Sequence, residues 1–368
     1  LNIFKYSKNK VYLPLELNLL LPLQNNSVNR FSIFPKMKRI SMQDIADKLG
    51  ISRGTVSLVL SGKAKTGRIS DEMQAKVKKL AKELNYHPNE IARSLSTGIT
   101  KSIGVIVTDI SNEFFGKMVF YIQERAKYYG YSVITVNTNE CLNDFDEAIT
   151  VLINRQVDGI ILVPVEGGNE IVKRVINRKI PLVQIDRFYR DLNSNYIVID
   201  NYNISRQAIE VLFDEGKRRI AVICYDINLS ALTERRQGCI DVMKQRGLFD
   251  VELIKNIGYD NQEKEIEQAI KDLKNSSNKV DAIFFCSRKV FLAGVKYMVQ
   301  LGIKIPEDMS VVCFDKIDAF SFANIPVTYI EQPIQQMGEK AIDLLIEQLQ
   351  GNNQIKQLIL NSDIKFTI

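Results

Sequence analysis

Histidine is almost absent from this chain: His87 is the single one in 368 residues. A His-based zinc centre, an H-E-x-x-H metalloprotease helix and a His-rich metal tract each need at least two imidazoles, so all three are excluded and no metal is expected. The five cysteines, Cys141, Cys224, Cys239, Cys286 and Cys313, stand singly with no C-x-x-C pair. Mostly inside apolar runs, they exclude a disulfide scaffold and read as buried free thiols of a reducing cytosol. The sequence also lacks G-x-S-x-G, G-x-x-x-x-G-K-[ST] and G-x-G-x-x-G, so no nucleophile elbow, P-loop or dinucleotide fingerprint, and no cofactor, is indicated. Its longest apolar run near the start, residues 11–23, is too short for a bilayer and is broken by Pro14, Glu16 and Pro22. No small-residue cleavage site follows, which speaks against a signal peptide.

With 45% hydrophobic and 25% charged residues the composition is that of an ordinary globular protein, long enough for two or three domains. The net charge of +6 is unevenly placed. Residues 37–98 carry twelve Lys and Arg against six Asp and Glu, and residues 1–36 carry five against one, while the remaining 270 carry 32 against 36. A basic front on a mildly acidic body points to a polyanion-binding head and a body with another task. Residues 1–36 have neither helical nor strand periodicity and begin with Leu1. Met37 is expected to be the initiator, with 1–36 a leader or non-native extension; the alternative is a disordered arm.

From Ile40 the pattern sharpens. Ser41 with Asp44 three residues on is a capping box, Gly50 stands where a helix exits, and Ser52 caps a second helix after a three-residue turn. Ile45, Ala46, Leu49, Ile51, Val56, Val59 and Leu60 would meet between the two helices, which is the helix-turn-helix arrangement. Arg53, Gly54, Thr55, Ser57 and Leu58 are left facing out, and short polar side chains there suit close approach to base edges and phosphates. Two short helices around a glycine also occur in domains that never touch DNA. A basic connector, Lys63, Lys65 and Arg68, follows, then a third helix from Ser70 with Met73, Val77, Leu80, Ala81 and Leu84 on one face.

Residues 38–98 resemble the DNA-binding head and hinge of the LacI/GalR family of bacterial transcription regulators. The resemblance rests on D-I-A-x-x-L-G-I-S-x-x-T-V-S at 44–57 and L-N-Y-x-P-N-x-x-A-R-S-L at 84–95. It implies a small all-α helix-turn-helix DNA-binding domain (37–88) and a hinge (89–98) that wedges into a minor groove. Major-groove reading then falls to Arg53, Gly54 and Thr55, with Ser41, Ser52, Ser57 and Leu58 on the same DNA-binding face. Minor-groove contact falls to Ala92 and Leu95, with Asn89 and Arg93 also among the DNA-binding residues. Leu58 stands where many relatives carry a base-contacting Arg. The connector is also longer than usual, so Lys63, Lys65 and Arg68 either touch phosphates or form a solvated loop.

After Thr100 apolar runs alternate with helical patterns. Strands are expected at 103–107, 132–136, 159–163, 181–185, 197–200, 219–224, 251–257, 280–285 and 309–313, with helices between them. The repetition implies parallel sheets, whose ligands sit outside the carboxyl ends of the strands. The resemblance extends here through I-G-V-I-V at 103–107, D-N-Y at 200–202, G-K-R-R-I-A at 216–221, I-P-E-D-x-S-V-V at 305–312 and F-D at 314–315. It implies an α/β two-lobed, periplasmic-binding-protein-like domain with parallel sheets over 99–368, with lobe one about 99–199 plus 334–356. Lobe two is about 200–333 plus the C-terminal tail.

By the same resemblance the lobes close on a small effector contacted by Phe114, Phe115, Asp186, Arg235, Ser287, Arg288 and Asp315. Phe115 could equally be helix-face packing. Where many relatives have Asn-Asp, this chain has Ser287-Arg288, which favours a phosphorylated or acidic ligand over a neutral carbohydrate unless Arg288 faces solvent. The helix at 334–349 and a last strand at 357–360 are followed by no leucine heptads, so a homodimer is expected rather than a coiled-coil tetramer. The expected protein is a cytoplasmic regulator, a repressor of a near-palindromic double-stranded operator under small-molecule control. A ligand-binding receptor without regulatory DNA binding is the alternative; an enzyme on this fold would need catalytic groups the strand ends do not offer.

Overall fold

Ser41 starts the first helix with the reciprocal bonds its sequence predicts: its hydroxyl accepts from the Asp44 amide at 3.3 Å, and its own amide donates to Asp44 Oδ2 at 2.7 Å. This helix, α1 (Met42–Leu49), closes on Gly50 at φ 65°, a left-handed turn that a side chain would strain. α2 (Arg53–Leu60) follows, then α3 (Asp71–Glu83), capped by Ser70. Ile45, Ala46, Val56, Val59, Val77 and Ala81 are buried between the three, with Leu49, Ile51, Leu60, Met73, Leu80 and Leu84 packed around them. Ala64 of the connector joins that core, a position the helical periodicity does not reveal. The computed structural model describes residues 40–88, 93, 94, 97–317 and 325–367. The chain divides between Pro88 and Asn89 into two units, of which this is the first.

The second unit holds two six-stranded sheets. In the first, β1 (Ser102–Val107), β2 (Ser132–Asn137), β3 (Gly159–Leu162), β4 (Leu182–Ile185) and β5 (Asn195–Ile199) are ordered 5-4-3-1-2, all parallel. The second repeats this order with β6 (Ile220–Tyr225), β7 (Ile254–Ile257), β8 (Ala282–Phe285), β9 (Ser310–Phe314) and β10 (Thr328–Glu331). The connecting helices are α4 (Glu113–Tyr128), α5 (Leu142–Asn154), α6 (Asn169–Asn177), α7 (Asn201–Asp214), α8 (Ser230–Gln245), α9 (Gln262–Lys274) and α10 (Arg288–Gln300). After β10 the chain returns to the first lobe as α11 (Ile334–Leu349).

The tail departs from expectation. Residues after 356 were assigned to the second lobe, but β11 (Gln357–Leu360) pairs in parallel with β5 of the first sheet. Lys356 fixes it there: its amide donates to Asn195 Oδ1 at 2.6 Å and its ammonium meets Glu347 at 2.5 Å. Only β12 (Asp363–Phe366) crosses to the second sheet, antiparallel to β10. Strand 251–257 begins late because Asp250 caps a 3₁₀ turn, Val251–Leu253, through the Glu252 amide. β10, flanked by prolines, and β12 were not foreseen. Four of the five thiols are buried as expected, and Cys141 is half-buried. No helix of the described residues is long and apolar enough to cross a membrane.

Helices α7 and α8 approach closely at Gly238, where a Cβ would lie 2.4 Å from the Tyr202 carbonyl oxygen. That contact lets Arg235, one turn earlier on α8, reach Asn201 at the start of α7. Gly238→Ala is therefore expected to destabilise the second unit by about 1–3 kcal/mol through backbone displacement. Urea unfolding of the variant beside wild type checks it, and an unchanged midpoint would show that the helices separate at no cost.

Candidate functional site

The predicted reading face lies at the start of α2. Ser52 Oγ accepts from the Thr55 amide at 3.0 Å, and the two hydroxyls are 2.9 Å apart, so both act as the helix cap. Arg53 and Gly54 are exposed beside them; Thr55, Ser57 and Leu58 are half-buried. A Cβ on Gly54 would touch only Ser52 Oγ, at 3.5 Å. The head thus has room for a side chain there, and glycine leaves the backbone open to an approaching surface. Lys63, Lys65 and Arg68 are exposed. Of the hinge residues, Asn89, Ala92 and Leu95 lie outside the described residues; the Arg93 carbonyl accepts from Thr97 Oγ1 at 3.0 Å.

In the second unit, all seven residues expected at the ligand line one cavity of about 80 Å3 between the lobes. The fold explains the convergence, since most lining residues stand just beyond the carboxyl end of a parallel strand and the others on the first turns of the helices α4 and α8 that follow. Asp186 follows β4 and Asp315 follows β9, the fourth strand of each sheet. They are pseudo-equivalent: both take left-handed backbone, φ 71° and 77°, and each amide donates to the adjacent strand, Asp186 to Ile197 O and Asp315 to Ile330 O. Aspartate tolerates this conformation better than most side chains, and its cost is held by the strands on either side.

Arg235 lines the same cavity as the two acids. Its Nε donates to Asn201 Oδ1 at 2.7 Å and one terminal nitrogen to the Cys286 carbonyl at 2.9 Å, while the guanidinium lies 3.5 Å over the Phe314 ring. Burial raises both carboxyls above the usual range, and Arg235 opposes the rise at each. Asp315 is pushed up to about 6 in spite of Arg235 and the Gln332 amide, which donates to Asp315 Oδ1 at 2.6 Å. Phe114 and Phe115 are buried and pack edge to face, rings 5.0 Å apart, on the first turn of α4, which Asn112 caps. Phe115 therefore both packs and lines the cavity.

Ser287 caps α10 through the Val290 amide at 3.4 Å. Arg288 is neither a spare cation nor solvent-facing. Its side chain is 14% exposed, pairs with Glu113 of the opposite lobe, and donates to the Lys316 carbonyl at 2.6 Å. Beside it Lys289 reaches Asp109 across the cleft at 3.5 Å. Glu140 grips Arg187 with both oxygens, at 2.5 and 3.2 Å. Sequence reasoning missed Asp109, Glu140, Arg187, Lys289 and Gln332. Each lies within four residues after a strand, a signal available for the first four but not for Gln332, whose strand β10 the sequence did not reveal. Four acids, Asp109, Glu140, Asp186 and Asp315, face four cations, Arg187, Arg235, Arg288 and Lys289, so the lining balances its own charge. No group of three metal-ligating side chains occurs among the described residues.

An acid raised in the folded state binds its proton more tightly there than in the unfolded chain. Asp315 therefore favours folding below the ordinary carboxylate value and loses that contribution as pH rises towards about 6. Relative to Asp315→Asn, wild-type unfolding free energy is expected to fall by about 2 kcal/mol between pH 4 and 7. Urea titrations across that range test it; a pH-independent difference would mean Asp315 stays ionised without cost.

The family described as "Bacterial regulatory proteins, lacI family" matches residues 41–89, and "Periplasmic binding proteins and sugar binding domain of LacI family" matches residues 100–367. The ribose operon repressor of Haemophilus influenzae is 28% identical over 317 residues, 85% of this chain and 93% of that protein. The transcriptional repressor PurR of Pasteurella multocida is 28% identical over 321 residues, 87% and 95% of the two chains. Among solved structures, a lac repressor dimer bound to operator and the anti-inducer ONPF aligns over 90% of this chain and 99% of its own, with TM-score 0.79 and 21% identity, a likeness of fold. Matched in its head and throughout its two-lobed unit, the chain belongs to the LacI family of bacterial regulatory proteins, which bind DNA and are not enzymes.

Proposed function

We propose that this regulator acts in the cytoplasm as a repressor, binding a near-palindromic operator as a homodimer and releasing or engaging it when a carbohydrate closes the cleft. One observation carries the reading: a single chain joins a helix start with exposed Arg53 and Gly54 to a two-lobed unit whose polar strand ends meet in one cavity. Arg53, Gly54 and Thr55 read base edges in the major groove, and Ala92 and Leu95 enter the minor groove. Outward-facing Phe120 and Tyr128 on α4, and Leu292 and Val299 on α10, supply apolar surface for a second copy.

The ligand is an uncharged sugar rather than a sugar phosphate, because Arg288, the cation that favoured an anionic ligand, is already engaged by Glu113. Asp186, Asp315 and Arg235 offer paired hydrogen bonds to neighbouring hydroxyls, and Phe114 covers an apolar ring face. The sugar-binding domain description that matches residues 100–367 and relatives named for the ribose operon support this class.

Selection of the purified chain against random DNA duplexes is expected to enrich a two-fold symmetric site, with Arg53→Ala losing selectivity in each half. Enrichment of an asymmetric site, or of none, would overturn operator binding by a homodimer. Calorimetry against unmodified pentoses and hexoses and their phosphates is expected to register the unmodified sugars. In a double-mutant cycle on that sugar, Arg288→Ala and Glu113→Gln each weaken binding and couple by roughly 0.5–1 kcal/mol. Strictly additive losses would show that the pair does not hold the lobes together.

A further inference from the structure

The cavity between the lobes has a buried end and a rim. The strands next to the crossings, β5 and β10, lie on one side of the two sheets, and the far edges are β2 and β7. Asp186 and Asp315, which follow β4 and β9 on the crossing side, are each 8% exposed. Towards the far side stand Asp109 after β1, Glu140 after β2, Tyr225 at the end of β6 and Tyr259 after β7. Lys289, the second residue of α10, reaches over this end. Its ammonium lies 3.5 Å from Asp109 Oδ2 and 5.0 Å from the centre of the Tyr259 ring. Lys289 lines the cavity, yet its side chain is 41% exposed, so it stands where the cavity meets solvent.

Both ends of this bar are fixed. Asp109 accepts from the Ser111 amide at 3.1 Å, and the Ile110 amide donates to Asn137 Oδ1 at 2.8 Å, which ties the loop after β1 to β2. Burial pushes the Asp109 carboxyl up, but the bonds from Ser111 and the charge of Lys289 outweigh it and hold the group below its ordinary value, so it meets the lysine ionised. In the other lobe Tyr259 packs on Tyr225, ring centres 5.4 Å apart, and the Tyr225 hydroxyl is bonded to Gln262 at the start of α9. Ser287 caps the helix from which Lys289 projects. An ammonium between a fixed carboxylate and a fixed ring is attracted by both.

Behind the bar the cavity measures about 80 Å3, and at about 10–15 Å3 for each water it can hold this is space for roughly five to eight waters. One pentose or hexose displaces that much water. A second ring finds no space beside Asp186 and Asp315 and would have to extend across the rim, where Lys289 lies. We infer that Lys289, positioned by Asp109 and Tyr259, is the end stop of the sugar site and restricts the effector to a single ring. The inference rests on the sugar reading above and narrows it from carbohydrates in general to monosaccharides. A longer ligand must displace the lysine and break its pair with Asp109, whereas a monosaccharide leaves the pair closed, so the discrimination comes from an obstacle to the wrong ligand.

The test is calorimetry of the full chain against unmodified pentoses and hexoses and against disaccharides built from them. Wild type is expected to bind a monosaccharide and to bind the disaccharides that contain it at least about tenfold more weakly, the effect of overfilling a packed site. Lys289→Ala is expected to narrow that ratio by at least about fivefold, because loss of the ion pair touches both ligands while loss of the stop favours the longer one. Lys289→Arg, which keeps charge and reach, keeps the wild-type ratio. Arg288→Ala breaks the neighbouring cross-cleft pair without opening this end, and keeps it too. Thermal melts of each variant separate loss of folding from loss of discrimination. Disaccharides that bind wild type as tightly as monosaccharides, or a ratio that Lys289→Ala does not move, overturn the end stop. A ratio that Arg288→Ala moves as far as Lys289→Ala also overturns it, since loosened lobes would then be the cause. If wild type binds no sugar of either kind, the sugar reading itself fails and this inference with it.

Discussion

Charge buried where the lobes meet is the constraint on which the two-lobed unit depends, with Arg235 held there by Asn201, the Cys286 carbonyl and the Phe314 ring. Each lobe has its own six-stranded sheet, and the buried apolar side chains of the two belong to one continuous cluster. What remains at their meeting surface is charge taken out of water, which costs several kcal/mol per ion unless partners and hydrogen bonds replace the solvent. Arg235 donates to Asn201 and the Cys286 carbonyl and its charge opposes the rise of both aspartates, while Arg187 pairs with Glu140 and Asp186. Removing one member leaves the rest uncompensated. The network is therefore a poor source of stability and a sensitive device for reading what enters the cleft: a ligand hydroxyl that bonds a raised carboxyl changes the balance that burial has set.

The Glu113–Arg288 and Asp109–Lys289 pairs apply the same physics where water is closer. They span the lobes on partly exposed side chains, so each contributes little alone and is screened by salt. Their effect is directional. Both cations begin α10 of one lobe, and both acids flank the start of α4 in the other. They pull together the two helix starts that Ser287 and Asn112 cap. Phe114 and Phe115 ride on the second of those starts, so closing the pairs also carries the aromatic wall towards the strand ends.

Much of this was legible because it is local. Ser41, Gly50, Ser52 and Ser70 declare the helix boundaries through bonds within three residues, and the 3.6 period of α3 names the face that packs. The seven expected ligand residues share a cavity because a parallel sheet sends every strand's carboxyl end to one side. What sequence hid depends on distant partners. Nothing in Ser287-Arg288 announces Glu113, 175 positions earlier, so Arg288 read as a free cation. Ala64 looked like part of a solvated connector because its burial comes from the folded three-helix core. β11 joins the first sheet because Lys356 meets Asn195 and Glu347, a choice no periodicity encodes.

The chain passes between the lobes three times: from β5 to α7, from β10 to α11 and from β11 to β12. Three crossings confine relative motion to a hinge, with Asp200, Gln332 and Ser362 among the residues on the crossing segments. Gln332 is the informative one, since its amide holds Asp315 while its buried Oε1 has no partner. A cavity-lining carboxyl raised to about 6 is thus bonded directly to a segment on which the chain crosses between the lobes. The pseudo-equivalent Asp186 likewise bonds through its amide to the strand, β5, that precedes a crossing. The two aspartates look alike in sequence and in backbone, and what separates them is one side chain, Gln332, which stands where the chain leaves β10 and bonds the carboxyl of Asp315.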